Sequence, residues 1–151
     1  MGGLQWGSST DGRSIWVAAA NAGPSGNGGG VGALPWTLKD GTTTPAGGWA
    51  ALVANNGDLL WTTKDPGWAA GQYGNRAEAA VSGANGVVFR CNLAAAKGTM
   101  YALDAKTGAP RWSYDSGGPC NAGASIADGV VYWGSGTFNG AGPKEVFAFG
   151  L

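Results

Sequence analysis

With no histidine among its 151 residues, this chain cannot run Ser-His-Asp or Cys-His chemistry, and it cannot hold a metal through imidazole. Few other side chains could react or bind. Cys91 and Cys120 are too few for a structural zinc site, which takes four ligands; they stand either as a disulfide or as two unpaired, partly buried thiols. Arg90 is the only charge inside the apolar run VVFRCNL, residues 87–93. It either faces an inner axis and an anionic ligand or takes a solvated or edge position, and the second is the expectation, because burying a charge is costly. Gly26 to Gly32, GNGGGVG, has the look of a phosphate loop but lacks the Gly-Lys-Ser/Thr ending and a following helix, so it is set aside.

The elements that must position these residues are strands. Gly98 to Tyr114 contains the unit Ala102-x-Asp104-x-x-Thr107-Gly108-x-x-x-Trp112, two apolar runs flanking a tight turn. That is a β-hairpin signal, with Gly108 supplying the positive φ the turn needs. Residues 51–61 repeat it as Ala51-x-Val53-x-x-Asn56-Gly57-x-x-x-Trp61, and the two tryptophans lie 51 positions apart. A shortened third copy, Val146 to Leu151, matches the stretch beginning at Met100. A second repeat runs out of phase: Asp11-Gly12, Asn85-Gly86 and Asp128-Gly129 each precede an apolar strand. Self-similarity at periods near 40 to 50 marks propellers and arrays, and strands without any helical pattern favour propeller blades.

Composition agrees. Charged residues are only 12% and Gly plus Pro make 37 of 151, which approaches low complexity, but eight tryptophans demand burial and argue for a packed domain. Net charge is zero with no basic stripe, so nucleic acid is not an expected partner. No apolar run approaches the ~18 residues of a membrane helix. The start, MGGLQWG, does not read as a signal peptide, so if the parent protein is exported its signal is expected outside this chain.

Taken in order, strands are expected at 3–8, 14–20, 49–54, 58–63, 79–82, 87–92, 99–104, 110–114, 122–126, 130–134 and 145–151. Residues 21–48 and 64–76 are expected as loops, the first holding Trp36 and no strand; a loop that long is usually functional or disordered. This gives an all-β chain of about three antiparallel blades, approximately 3–63, 79–115 and 122–151. Four, four and three strands are expected, the last blade lacking its outer strand. Trp61 and Trp112 are expected as buried wedges between blades.

The unit Ala102 to Trp112 resembles the tryptophan-docking motif of quinoprotein dehydrogenase propellers, the pyrroloquinoline quinone (PQQ) repeat. Together with GGLQWGSSTDGRSIWVAAAN, AGGWAAL, ANGVVF and ADGVVYWGSG, it makes nearly the whole chain similar to the C-terminal blades of polyvinyl alcohol dehydrogenase-like proteins. The resemblance implies blades of a larger, eight-bladed propeller with PQQ near its axis, calcium holding the quinone, a small or polymeric alcohol as substrate, and a periplasmic or extracellular location. It implies that Trp6 is the ring stacking under PQQ and Asn21 a calcium ligand. Where the larger alcohol dehydrogenases carry their catalytic aspartate, this chain has Ala69, so Asp65 in the same loop becomes the candidate base; Asp65-Pro66 also reads as a turn opener. The alternative function is a propeller that kept its docking motifs without catalysis, as a binding or assembly subunit. Three blades expose apolar flanks, so other blades or chains are expected to cover them. If the two cysteines lie in loops on one face of a blade, a disulfide fits an exported protein.

Overall fold

The structure of the chain is a computed structural model, and it describes residues 4, 6–21, 35–67, 77, 79–93, 97–136 and 142–150. Among these there is no helix. Sheet 1 holds β1 (Ser9–Thr10), β2 (Ser14–Ala19), β5 (Gly48–Val53) and β6 (Leu59–Lys64), in that order. Sheet 2 holds β7 (Ser82–Ala84), β8 (Val87–Cys91), β9 (Thr99–Asp104) and β10 (Pro110–Asp115) as a simple meander. Sheet 3 holds β11 (Ser125–Ala127), β12 (Val130–Ser135) and β13 (Glu145–Gly150). Every pairing is antiparallel. This is the all-β, blade-like architecture that the repeats foretold.

Turn chemistry sets the register. Asn85-Gly86 and Asp128-Gly129 both have two consecutive positive φ angles, 49° and 75°, then 49° and 77°. Two such residues make the tight hairpin turn whose twist matches the flanking strands. In the longer turns, Gly57 and Gly108 sit at φ 78° and 74°. Asp104 fixes the second of these by accepting from the Lys106 and Thr107 amides at 2.8 Å. Both repeat hairpins carry a register shift just before the tryptophan: Ala51 pairs Trp61 while Leu52 pairs Leu59, and Ala102 pairs Trp112 while Leu103 pairs Pro110. Leu60 and Arg111 are the extra residues, bulges that bend the outer strand locally.

Two apolar clusters join the sheets. Trp16, Trp49 and Trp61 of sheet 1 pack with Val88, Tyr101 and Leu103 of sheet 2. Cys91 and Met100 of sheet 2 pack with Trp133 of sheet 3, with Phe89, Phe147 and Phe149 at the margin. Because side chains alternate along a strand, the face of sheet 1 carrying Ala50 and Thr62 points away from sheet 2.

Several boundaries differ from the expectation. The first strand falls at Ser9–Thr10; of the strand expected at 3–8, residues 3 and 5 lie outside the described residues, and residues 6–8 join no ladder, though the Val81 amide donates to the Gly7 carbonyl at 2.9 Å. The strands expected at 79–82 and 122–126 are displaced to Ser82–Ala84 and Ser125–Ala127, each immediately before its Asn-Gly or Asp-Gly turn, which pins the pairing. The stretch 21–48 does hold strands: β3 (Trp36–Thr37) and β4 (Thr43–Thr44) form a small hairpin. It lies over the outward face of sheet 1, where the Lys39 amide donates to Thr62 Oγ1 at 2.7 Å and Lys39 Nζ donates to the Leu59 carbonyl. Trp36 Nε1 donates to the Ala46 carbonyl at 2.7 Å. Two-residue strands are too short for periodicity to reveal.

Candidate functional site

The register of sheet 1 decides where the candidate residues stand. Ala19 pairs Gly48, and Gly48 pairs Lys64. The end of β2, the start of β5 and the end of β6 therefore share one end of the sheet, and the approach to β1 lies there too. Trp6, Asn21 and Asp65 are thus all at one end. They are not one cluster. Trp6 leads into the innermost strand and Asp65 follows the outermost, three strand spacings or about 14 Å away.

Trp6 is 49% exposed. The neighbouring Gly7 packs toward Ala80. An open indole beside the inner strands suits stacking against a flat ring. Asn21 is half-buried and its Nδ2 donates to the Pro45 carbonyl at 3.2 Å. Calcium takes six to eight oxygens, and among the described residues no group of three acidic, cysteine or histidine side chains gathers to hold a metal. Trp68 and Ala69 lie outside the described residues.

Asp65 sits at the centre of a polar node instead. It is 2% exposed. The Gly67 amide donates to Asp65 Oδ1 at 2.9 Å, an aspartate turn of the kind that Asp-Pro-Gly favours. Asn92 Nδ2 donates to both carboxylate oxygens, at 3.1 and 3.3 Å, and the Tyr101 hydroxyl donates as well. Burial pushes the Asp65 carboxyl up to about 6, against the pull of these donors. Burial, and then the neighbouring Asp65 charge, raise the Tyr101 hydroxyl.

Asn92 ties the node to all three sheets. Its Oδ1 accepts from the Thr99 amide at 3.0 Å, its own amide donates to the Thr99 carbonyl at 3.2 Å, and its carbonyl accepts from the Cys120 amide at 3.3 Å. Cys91, one residue before, is joined by a disulfide to Cys120, with Cα atoms 5.9 Å apart and both residues fully buried. Of the two readings open for the cysteines, the structure takes the disulfide. Asn92 carried no signal in the sequence beyond closing a strand; only the fold makes it a hub.

Arg90 overturns its expectation. It is fully buried rather than solvated, with its guanidinium 4.8 Å from the Trp49 ring and 5.8 Å from the Trp61 ring. Neither Nε nor the two terminal nitrogens has a hydrogen-bond partner among the described residues, and burial lowers its pKa to about 9. The two indole faces stabilise the cation; they do not replace its hydrogen bonds.

The docking tryptophans split. Trp61 is 5% exposed, and its Nε1 donates to the Ala105 carbonyl at 3.0 Å. Trp16 Nε1 reaches the same carbonyl at 3.3 Å. A β-carbon on Gly108 would lie 2.5 Å from the Trp61 ring, so only glycine lets the ring lie on that turn. Trp112 departs from the buried wedge expected of it. It is 38% exposed and packs edge-on to Phe149 at 4.8 Å. Among the described residues no turn equivalent to Ala105–Gly108 lies against it.

A family model described as outer membrane protein assembly factor BamB, built of PQQ-like repeats, matches residues 2–147. A search of the curated proteins finds no match.

Proposed function

The chain belongs to the PQQ-repeat family described as outer membrane protein assembly factor BamB, and from that premise we propose that it is a propeller segment whose work is assembly, offering its sheet faces to other sheets of the same kind. The observation that carries this is the outward face of sheet 3. Tyr132 and Val146 are 44% and 74% exposed. The register makes them the counterparts of Phe89 and Met100 in sheet 2, and of Trp16 and Trp49 in sheet 1. The following sheet packs over those four residues. An apolar face at the same repeat position, with β13 as the outer strand of its sheet among the described residues, is a surface for pairing and packing. Asp65, the candidate base, is turned into the node and engaged there.

Light scattering over a range of protein concentrations tests the reading. Species heavier than the 15.0-kDa chain should form, and Val146→Glu should return the mass to that of the single chain. A wild-type chain that stays a single 15.0-kDa species throughout, alone and with a longer PQQ-repeat propeller added, would count against assembly.

The exposure of Trp6 favours a second reading: a polyvinyl alcohol dehydrogenase-like quinoprotein segment that oxidises an alcohol in the complete protein. When bound, PQQ would supply the two-electron chemistry. Trp6 would give it a stacking face and Asn21 an amide oxygen for calcium. Among the described residues no group of three acidic side chains stands ready to complete the calcium shell. The buried disulfide accords with a periplasmic or extracellular setting. Titration with PQQ should quench tryptophan fluorescence in a calcium-dependent way, and Trp6→Ala should remove the effect; absence of quenching would leave only the assembly reading.

A further inference from the structure

Four buried nitrogens with no hydrogen-bond partner among the described residues lie in the joint between sheets 1 and 2. They are Nε and the two terminal nitrogens of Arg90, and Nε1 of Trp49. Both residues are fully buried. The polar groups around them are already engaged. Trp16 and Trp61, from the same apolar cluster as Trp49, share the Ala105 carbonyl as acceptor. Tyr101 pairs with Arg90 across the ladder but gives its hydroxyl to Asp65. Asp65 in turn accepts from Gly67, Asn92 and Tyr101. Donors are left over on two adjacent residues, with the Arg90 guanidinium 4.8 Å from the centre of the Trp49 ring.

We infer that Arg90 and Trp49 form an enclosed site for a small monovalent anion of chloride size, held between sheets 1 and 2. A guanidinium sealed from bulk water needs both acceptors for its N–H groups and an opposing charge. The indole faces of Trp49 and Trp61 attract the cation but accept none of those in-plane N–H groups. Buried water would satisfy the N–H groups and leave the charge unbalanced. An anion does both, and it also gives the Trp49 indole N–H the acceptor that the cation cannot supply. Enclosure sets the size, because no side chain of a partner reaches a pair that is fully buried. Charge sets the valence, because one guanidinium balances one negative charge. Arg90, lowered to about 9 by burial, stays protonated at neutral pH, so the charge to be balanced persists there. The site lies apart from the open Trp6 ring and from the outward face of sheet 3, and it depends on neither reading of function.

Thermal unfolding of the full chain in mixtures of sodium chloride and sodium gluconate tests the site. Ionic strength is held constant, and gluconate is too large to enter an enclosed space. A ligand that binds only the folded state stabilises it with the logarithm of its concentration. The melting temperature should therefore rise by about 3 to 6 °C for each tenfold increase in chloride beyond half-saturation. Arg90→Met removes the cation at similar volume and should melt at one temperature in both salts. Trp49→Phe keeps an aromatic ring over the guanidinium and deletes only the N–H donor. It should raise the half-saturating chloride concentration about tenfold to a hundredfold, as loss of one hydrogen bond to a charged group does. A wild-type melting temperature that is the same in chloride and gluconate would overturn the site. So would a chloride response that survives Arg90→Met. Should Arg90→Met not fold, Trp49→Phe decides: an unchanged half-saturating concentration would overturn the site, and a raised one would uphold it.

Discussion

The joint between sheets 1 and 2 and the joint between sheets 2 and 3 begin from the same repeat and are closed by different forces. At the first, Trp61 and Trp16 both donate to one buried carbonyl, Ala105, and Asp65 reaches across to Asn92 and Tyr101. At the second, the covalent Cys91–Cys120 bond stands beside a hydroxyl pair, Ser116 and Ser135, whose oxygens are 2.7 Å apart. Its aromatic side chains, Trp112, Tyr114, Phe147 and Phe149, form a cluster of mostly edge-on rings with Trp112 and Tyr114 still partly in solvent. A docking tryptophan is therefore half a device. Its contribution depends on the turn it meets, and that turn belongs to the next sheet.

The comparison breaks most readily at Trp61. Trp61→Ala removes a buried indole and leaves a cavity against Gly108, and should cost about 3 to 5 kcal/mol in chemical denaturation. A loss below ~1 kcal/mol would mean that the first joint is held elsewhere. At the second joint, Cys91 and Cys120 close a loop with a sequence separation of 29. Chain-entropy reasoning gives that cross-link roughly 3 to 4 kcal/mol, so a Cys91→Ala, Cys120→Ala double variant should lose about that much. The variant should also exchange sheet 3 amides faster than sheet 1 amides; uniform loss of protection across all sheets would mean that the joints do not act separately.

The polar side of the first joint is sharpened by pH. The Asp65 carboxyl titrates at about 6 in the fold against a reference of 3.8, so the folded state holds a proton that the unfolded chain has released. Its contribution is fully present below about pH 4 and is lost as pH rises through about 6, on the order of 3 kcal/mol across that window. Asp65→Asn should flatten this limb of the stability profile, and an unchanged limb would place the titration on another group. The smallest effect belongs to Trp112→Ala, which should cost about 1 to 2 kcal/mol because the ring is partly exposed already. A loss equal to that of Trp61→Ala would show that a partner covers Trp112 under the conditions of measurement.

The sequence alone determined the local chemistry. The Gly positions at 57, 86, 108 and 129 named the turns, the recurring apolar runs named the strands around them, and the repeat named the blade-like, all-β class. Each of these rests on interactions within a few residues, where backbone sterics and side-chain alternation suffice. Only the tertiary structure decided how deeply each residue is buried. Arg90 looked like an edge charge in a strand and lies sealed between two indoles, because its neighbours come from 41 and 29 residues upstream. Asp65 looked like a turn opener or a base and became the anchor of a node, because Asn92 and Tyr101 arrive from the adjoining sheet. Trp61 and Trp112 occupy the same place in the same motif, yet one is buried and one is not. Burial is a property of what the next sheet places against a side chain, and no local pattern encodes it.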